Sequence, residues 1–276
     1  MPAKRLLGNA ASALVVLLST VANPTQAAPV PVIAAPALVR ATPALWEIRD
    51  SDTTIYLFGT FHTLDGHTVW FGDKVREAFD RSGELMLETI VPDPAAIQAA
   101  ARNQVTEIAP DGTARLKPFV AQTRQVVSQS RSAGLSVENG ADTVLRRVAE
   151  DVGKPVGGLE RFEDQLGALA NIPAPQAPST QQSVSAASVT VNDLLSAWTT
   201  GNTGAFSTML AGFEAKSPVA YRMLIADRNA RWGQWIASRL EKPGTVFVAV
   251  GTGHLAGKDS VQHWLAARGI ATTRVS

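Results

Sequence analysis

Apolar positions along the chain follow two different periods, and together they predict an α/β fold. Short apolar or alternating runs predict strands at 46–49, 54–58, 85–87, 155–159, 245–250 and 271–275, with a hairpin turn at 50–52. Helical spacing predicts helices at 73–81, 116–133, 141–152, 161–170, 191–199, 205–213, 218–240 and 258–267. Strands separated by helices predict a mixed, largely parallel central sheet flanked by helices, with a helical insertion.

The first 27 residues have the three parts of a secretory signal peptide. Lys4 and Arg5 give a positive start, residues 6–22 are mostly apolar and uncharged, and Thr25-Gln26-Ala27 offers small residues to a signal peptidase. The alternative is an uncleaved anchor, but an anchor needs about 20 apolar residues, and this run is shorter. We therefore expect a periplasmic or secreted protein with no stable membrane anchor after cleavage.

Composition narrows the remaining possibilities. Residues 28–43 are rich in Ala, Pro and Val and predict a flexible leader, followed by a folded domain at 44–276 that contains a divergent loop at 172–188. The chain has no cysteine, which excludes disulfides and thiolate metal sites. A formal net charge of +1 gives no indication of a nucleic-acid partner.

Polar residues follow several of the predicted apolar strands. His62 and His254 each end a Gly-x-x-His sequence, and Glu88 and Glu160 each follow a short apolar run. Sites in open α/β sheets form outside the carboxyl ends of the strands. If the four strands are parallel neighbours, two histidines and two carboxylates gather at one edge. Gly59 is expected to permit the tight turn after its strand.

Two interpretations of these residues stay open on the sequence alone. Imidazole and carboxylate are the ligands of a catalytic divalent metal when thiolates are absent. Alternatively, the histidines only cap strands by hydrogen bonding to the backbone. His67 in a polar loop and His263 on the outer side of a helix are expected to be surface residues.

Arg228 is a separate signal, because it lies on the apolar stripe of the long predicted helix 218–240. A charge on a buried face needs a partner, so Arg228 either holds an active-site carboxylate or binds substrate oxygens. The alternative is a long side chain that reaches solvent. Helical spacing places Asp227 and Asn229 away from this stripe, and therefore outside the site.

Several motifs together resemble the TraB/GumN family, from about Leu45 to Val275. The resemblance rests on IYLFGTFH at 55–62, LMLE at 85–88, GAD at 140–142, GLE at 158–160, DRN at 227–229 and VAVGTGHL at 248–255. The resemblance implies that the functional positions are His62, Glu88 and His254, with Glu160 and Arg228 behind them. The related Tiki proteins are manganese- or cobalt-dependent proteases, PrgY-like members act on peptide pheromones, and GumN members are named for a polysaccharide gene cluster.

Two functions follow. The first is a metal-dependent hydrolase or metalloprotease of peptides or other small substrates. In it His62, His254 and one carboxylate, with Glu88 as the expected ligand, bind Mn, Co or Zn. The other carboxylate of Glu88 and Glu160 acts as general base, and Arg228 steadies developing charge. The second is a non-catalytic envelope accessory or ligand- or metal-binding protein, linked to polysaccharide production.

Overall fold

A six-stranded mixed sheet forms the centre of the fold. The computed structural model describes residues 38–92, 106–108, 114–116, 128, 130–172 and 189–276. The sheet contains β2 (Leu45–Arg49), β3 (Thr53–Thr60), β5 (Glu84–Leu87), β8 (Val156–Gly158), β9 (Gly244–Gly251) and β10 (Thr273–Arg274). Their order is β10-β2-β3-β9-β5-β8. The strands β3, β9, β5 and β8 are mutually parallel, whereas β10 and β2 pair antiparallel at the other side.

The local sequence explains the central strands. Asp50 closes the predicted hairpin between β2 and β3, since its Oδ1 accepts the Thr53 N–H at 2.8 Å. The strands β3 and β9 are buried along almost their whole length, as expected for parallel strands that are covered on both faces. Apolar side chains on the two faces form two separate cores.

Helices cover both faces of the sheet, so the α/β prediction is confirmed. They are α1 (Asp73–Arg81), α2 (Ala141–Asp151), α3 (Phe162–Ala170), α4 (Val191–Thr199), α5 (Gly204–Lys216), α6 (Pro218–Tyr221), α7 (Asp227–Arg239) and α8 (Val261–Ala266). One core includes Phe79, Leu145 and Trp198 from α1, α2 and α4. The other includes Trp232 and Leu265 from α7 and α8.

Several predicted boundaries are wrong. The predicted helix at 116–133 does not begin at Leu116, which ends strand β7 (Ala114–Leu116) in a hairpin with β6 (Thr106–Ile108). The long helix at 218–240 is interrupted by a π-turn at Arg222–Ala226. The last helix begins at Val261, because Ser260 caps it by accepting the His263 N–H at 3.3 Å.

The ends and loops of the predicted domain are only partly described. Val39–Arg40 (β1), in the predicted leader, pairs with Thr68–Val69 (β4), so ordered pairing starts before residue 44. The predicted signal peptide at 1–27, the leader up to residue 37 and the loop at 173–188 lie outside the described residues. Within the described ranges, every helix is too short or too polar to cross a membrane.

Candidate functional site

Four polar side chains lie at the carboxyl ends of four parallel strands. His62 follows β3, Glu88 follows β5, Glu160 follows β8 and His254 follows β9. The four strands are hydrogen-bonded neighbours in the order β3-β9-β5-β8, so the condition that the sequence left open is met. The end of β3 is held in place at this edge, since the Trp198 Nε1–H donates to the Gly59 carbonyl at 2.8 Å.

Arg228 lies at the centre of this edge and binds both glutamates. Its Nη2 donates to Glu88 Oε2 at 2.7 Å and to Glu160 Oε1 at 2.5 Å, and its Nε donates to Glu160 Oε2 at 3.1 Å. The guanidinium also stacks 4.6 Å from the Trp232 ring centroid. The side chain is 7% exposed, so the solvent-reaching alternative is wrong and the predicted carboxylate partner is confirmed. We call Glu88, Glu160, Arg228 and His254 the Arg228 cluster.

Glu88 is ionised within this cluster. Burial alone raises the pKa of its carboxyl, but the positive charge of Arg228 and the hydrogen bond from the Gly251 N–H outweigh burial and hold the pKa well below its usual range. The Gly251 N–H donates to Glu88 Oε1 at 2.6 Å, and Arg228 holds the other oxygen. Glu88 is therefore a fixed negative charge with few free lone pairs.

The two histidines have different surroundings. His254 is 6% exposed, and burial lowers its pKa to about 3. Its Nδ1 lies 2.6 Å from Asn229 Oδ1, and its Nε2 lies 3.2 Å from Arg228 Nη1 and 3.9 Å from Glu88 Oε1. His254 is therefore neutral and enclosed by the Arg228 cluster.

His62 lies at the open side of the site. Its Nδ1 is 2.8 Å from Asp142 Oδ2, and the side chain is 63% exposed. The Asp142 carboxylate raises the pKa of the His62 ring, although water screens a pair this exposed. The N-terminus of α2 packs closely on the His62 loop, because a Cβ on Gly140 would lie 2.2 Å from the His62 carbonyl oxygen.

Glycines in the two Gly-x-x-His sequences allow close approach rather than a tight turn. Gly251 has φ −53°, and Gly59 is not among the glycines with positive φ. A Cβ on Gly59 would lie 2.7 Å from Thr252 Oγ1. A Cβ on Gly251 would lie 3.1 Å from both Glu88 Oε1 and His62 Nε2. Gly251 thus leaves open the space that these two atoms face.

A cleft of about 540 Å³ opens beside this space. His62, Glu88 and Asp142 line it together with Thr89, Thr143, Arg146 and Gln165, and with an apolar wall of Leu87, Val91, Pro92 and Val137. Val91 and Val137 are 47% and 38% exposed. His254 and Glu160 are not among the described residues that line this cleft, and Glu160 lines a separate opening beside Arg231.

The sequence did not indicate two residues that contact the histidines of the site. Asn229 is 1% exposed and bonds to His254, although helical spacing predicted that it points away. Asp142 orients His62 from the first turn of α2, and its place in the GAD motif was the available signal. His67 and His263 are exposed, as predicted.

The donor chemistry at this edge suits a divalent metal, but the arrangement does not by itself form a metal site. Each histidine uses Nδ1 for a hydrogen bond and presents Nε2, the pattern typical of metal-bound histidines. In the described part of the chain, however, no group of three or more His, Asp or Glu side chains is placed to hold a metal ion. Arg228 contacts two of the predicted ligands instead, His254 through Nε2 and Glu88 through Oε2.

Comparison with known proteins agrees with the resemblance in the sequence motifs. No curated protein and no solved structure matches the chain. The model of the TraB/PrgY/gumN family matches residues 44–114 and 95–274, which span the whole sheet and all the motifs at its edge. The chain therefore belongs to the TraB/PrgY/gumN family.

Proposed function

We propose that this protein is an exported, metal-dependent hydrolase of peptides, with its site at the sheet edge beside the cleft. The observation that carries the proposal is the matched orientation of His62 and His254. Asp142 and Asn229 hold the Nδ1 atoms, which leaves each Nε2 on the side of Glu88. Export rests on the N-terminal sequence alone, and N-terminal sequencing of envelope material tests it.

His62, His254 and Glu88 would hold the metal. A bound divalent metal polarises a carbonyl and lowers the pKa of its water toward neutrality. One lone pair cannot serve two partners, so binding through His254 Nε2 requires Arg228 Nη1 to release it. His62 and Glu88, which line the cleft, are then the residues that meet the substrate.

Glu160 and Arg228 take supporting roles in this proposal. Arg228 binds both Glu160 oxygens, so Glu160 is a poor general base. The N–H groups of Arg228 donate to the two carboxylates, to His254 and to the Leu224 carbonyl. Few of them are therefore available to a substrate oxygen. Both are positioning residues that fix Glu88, rather than the catalytic groups that the sequence suggested.

The cleft favours a peptide with apolar side chains. In its wall, Val91 and Val137 are 47% and 38% exposed next to His62 and Glu88, and a cleft lined by apolar side chains with a few polar groups suits an apolar ligand. Among the described residues that line it, Asp142 faces His62, and Arg146 Nε donates to Glu150 at 2.8 Å, so these charges are paired. We therefore expect no strong selection for a charged peptide.

A non-catalytic envelope protein is the second candidate, because Arg228 already satisfies two of the three ligands without a metal. Digestion of a peptide library by the mature protein, read by mass spectrometry with Mn, Co, Zn or a chelator, separates the two. Cleavage that needs metal, is lost in His62→Ala and Glu88→Gln, and survives in the control His263→Ala supports the hydrolase. Metal binding without cleavage of any peptide supports the accessory role.

A further inference from the structure

The helix that carries Arg228 contains an irregularity next to the site. At the π-turn Arg222–Ala226, the Asp227 N–H donates to the Arg222 carbonyl five residues earlier. One extra residue in a turn rotates everything that follows, and such turns are frequent at functional sites. The extra residue shifts the phase of α7 relative to the turn before it. Asn229, which constant helical spacing turns away from the apolar stripe, therefore lies beside Arg228 on the buried face, with 1% and 6% of their surfaces exposed.

The orientation of the Asn229 amide follows from its partners. Its Nδ2 donates to the Asp259 carbonyl at 2.7 Å and to the His254 carbonyl at 3.3 Å. Both partners can only accept, so the amide nitrogen must face them. Oδ1 then faces His254 Nδ1 at 2.6 Å. Since Oδ1 is only an acceptor, Nδ1 must carry the proton.

The opposite side of the ring leads to the same assignment. Arg228 Nη1, 3.2 Å from His254 Nε2, is always a donor, so Nε2 must present its lone pair. The Trp232 ring, with its centroid 4.5 Å from that of His254, closes the face of the imidazole. The imidazole thus lies between one fixed acceptor and one fixed donor, and a 180° rotation of the ring would lose both hydrogen bonds, because it places carbon atoms where the two nitrogens lie.

We propose that Asn229, turned inward by the π-turn, is a positioning residue that fixes His254 as the Nδ1-protonated neutral tautomer with a permanent lone pair on Nε2. This assigns the two histidines different roles. His62 is bonded to a carboxylate, which accepts from either charge state of the ring, whereas His254 is bonded to a neutral amide and serves as a lone-pair donor. The tautomer itself does not depend on the proposed function, but its effect on metal affinity does.

Long-range ¹H–¹⁵N correlation spectra of the metal-free mature protein, labelled at histidine, test the proposal directly. We expect His254, assigned by its loss in His254→Gln, to show a protonated Nδ1 and a bare Nε2. A proton on Nε2, or an exchanging mixture of both tautomers, would overturn the proposal.

Variants test the part played by Asn229. Asn229→Ala should lose the slowly exchanging Nδ1 proton, Asn229→Asp should keep it because an acceptor remains, and the exposed control Asn171→Ala should match wild type. Retention of that proton in folded Asn229→Ala would show that Asn229 does not hold the ring. Loss of a partner of a ligating histidine typically weakens metal binding about 10–100-fold, so Asn229→Ala should bind cobalt that much more weakly than Asn171→Ala. If wild type binds no metal, the proposed function fails while the tautomer result stands.

Discussion

Removing Arg228 should destabilise the fold more than removing any exposed arginine. The Arg228, Glu88 and Glu160 side chains are 7%, 10% and 6% exposed, so Arg228→Ala leaves the buried Glu88 without its arginine and Glu160 with only the exposed Arg231. Breaking a buried pair by removing one partner costs about 3–5 kcal/mol, a large share of the ~5–15 kcal/mol that stabilises a typical domain. Arg228→Lys should recover little, because a lysine offers a point charge instead of a planar fork.

Arg231 supplies the matched control. It lies on the same helix and reaches the same Glu160, at 3.7 Å, but its side chain is 58% exposed. An exposed pair contributes about 0–1 kcal/mol, so Arg231→Ala should cost no more than about 1 kcal/mol.

Urea unfolding followed by circular dichroism measures the three variants. If the cost comes from uncompensated carboxylates, adding Glu160→Gln to Arg228→Ala should recover part of the free energy of unfolding that Arg228→Ala loses. An Arg228→Ala protein that unfolds within about 0.5 kcal/mol of wild type, the range typical of surface changes, would refute the reasoning.

Three further perturbations test the site and its supports. Gly251→Ala should fold but lower metal affinity and activity, because its Cβ lies 3.1 Å from Glu88 Oε1 and His62 Nε2; titration calorimetry with an unchanged result would contradict this. The pKa of Glu88 is lower in the folded protein than in the unfolded chain. Ionised Glu88 therefore contributes its full stabilisation of the fold above pH ~4.3, and this contribution is lost as pH falls. Urea melts from pH 6 to 3.5 should therefore show a steeper loss in wild type than in Glu88→Gln, and equal slopes would count against it. Trp198→Phe leaves the Gly59 carbonyl without its 2.8 Å donor and should cost about 1–3 kcal/mol in the same melts; a neutral result would remove Trp198 as a support.

Sequence was sufficient for the features that depend on local pattern. Apolar runs that end in Gly-x-x-His or Glu marked the four parallel strands. Because the carboxyl ends of parallel strands meet at one edge of the sheet, the sequence was enough to predict that His62, Glu88, Glu160 and His254 lie close together. Arg228 was found because a charge on an apolar stripe needs a partner.

The remaining features depend on three-dimensional packing. A prediction from helical spacing assumes a constant number of residues per turn. The π-turn at Arg222–Ala226 changes which residues of the following helix face the core, so the spacing did not predict that Asn229 is buried. The contact between Asp142 and His62 joins residues 80 positions apart, which no local pattern reveals. The sequence also could not show whether Glu160 and Arg228 are catalytic or positioning residues. Only the distances show that the N–H groups of Arg228 donate to other members of the cluster.

Metal binding by the mature protein tests the central claim most directly. Titration calorimetry with Mn²⁺, Co²⁺ and Zn²⁺, followed by elemental analysis of the dialysed protein, gives stoichiometry and affinity. We expect one ion per chain, greatly weakened binding in His62→Ala and His254→Ala, and wild-type binding in His263→Ala. Protein that retains no metal at equimolar level, or that binds equally well after loss of both site histidines, would contradict the account.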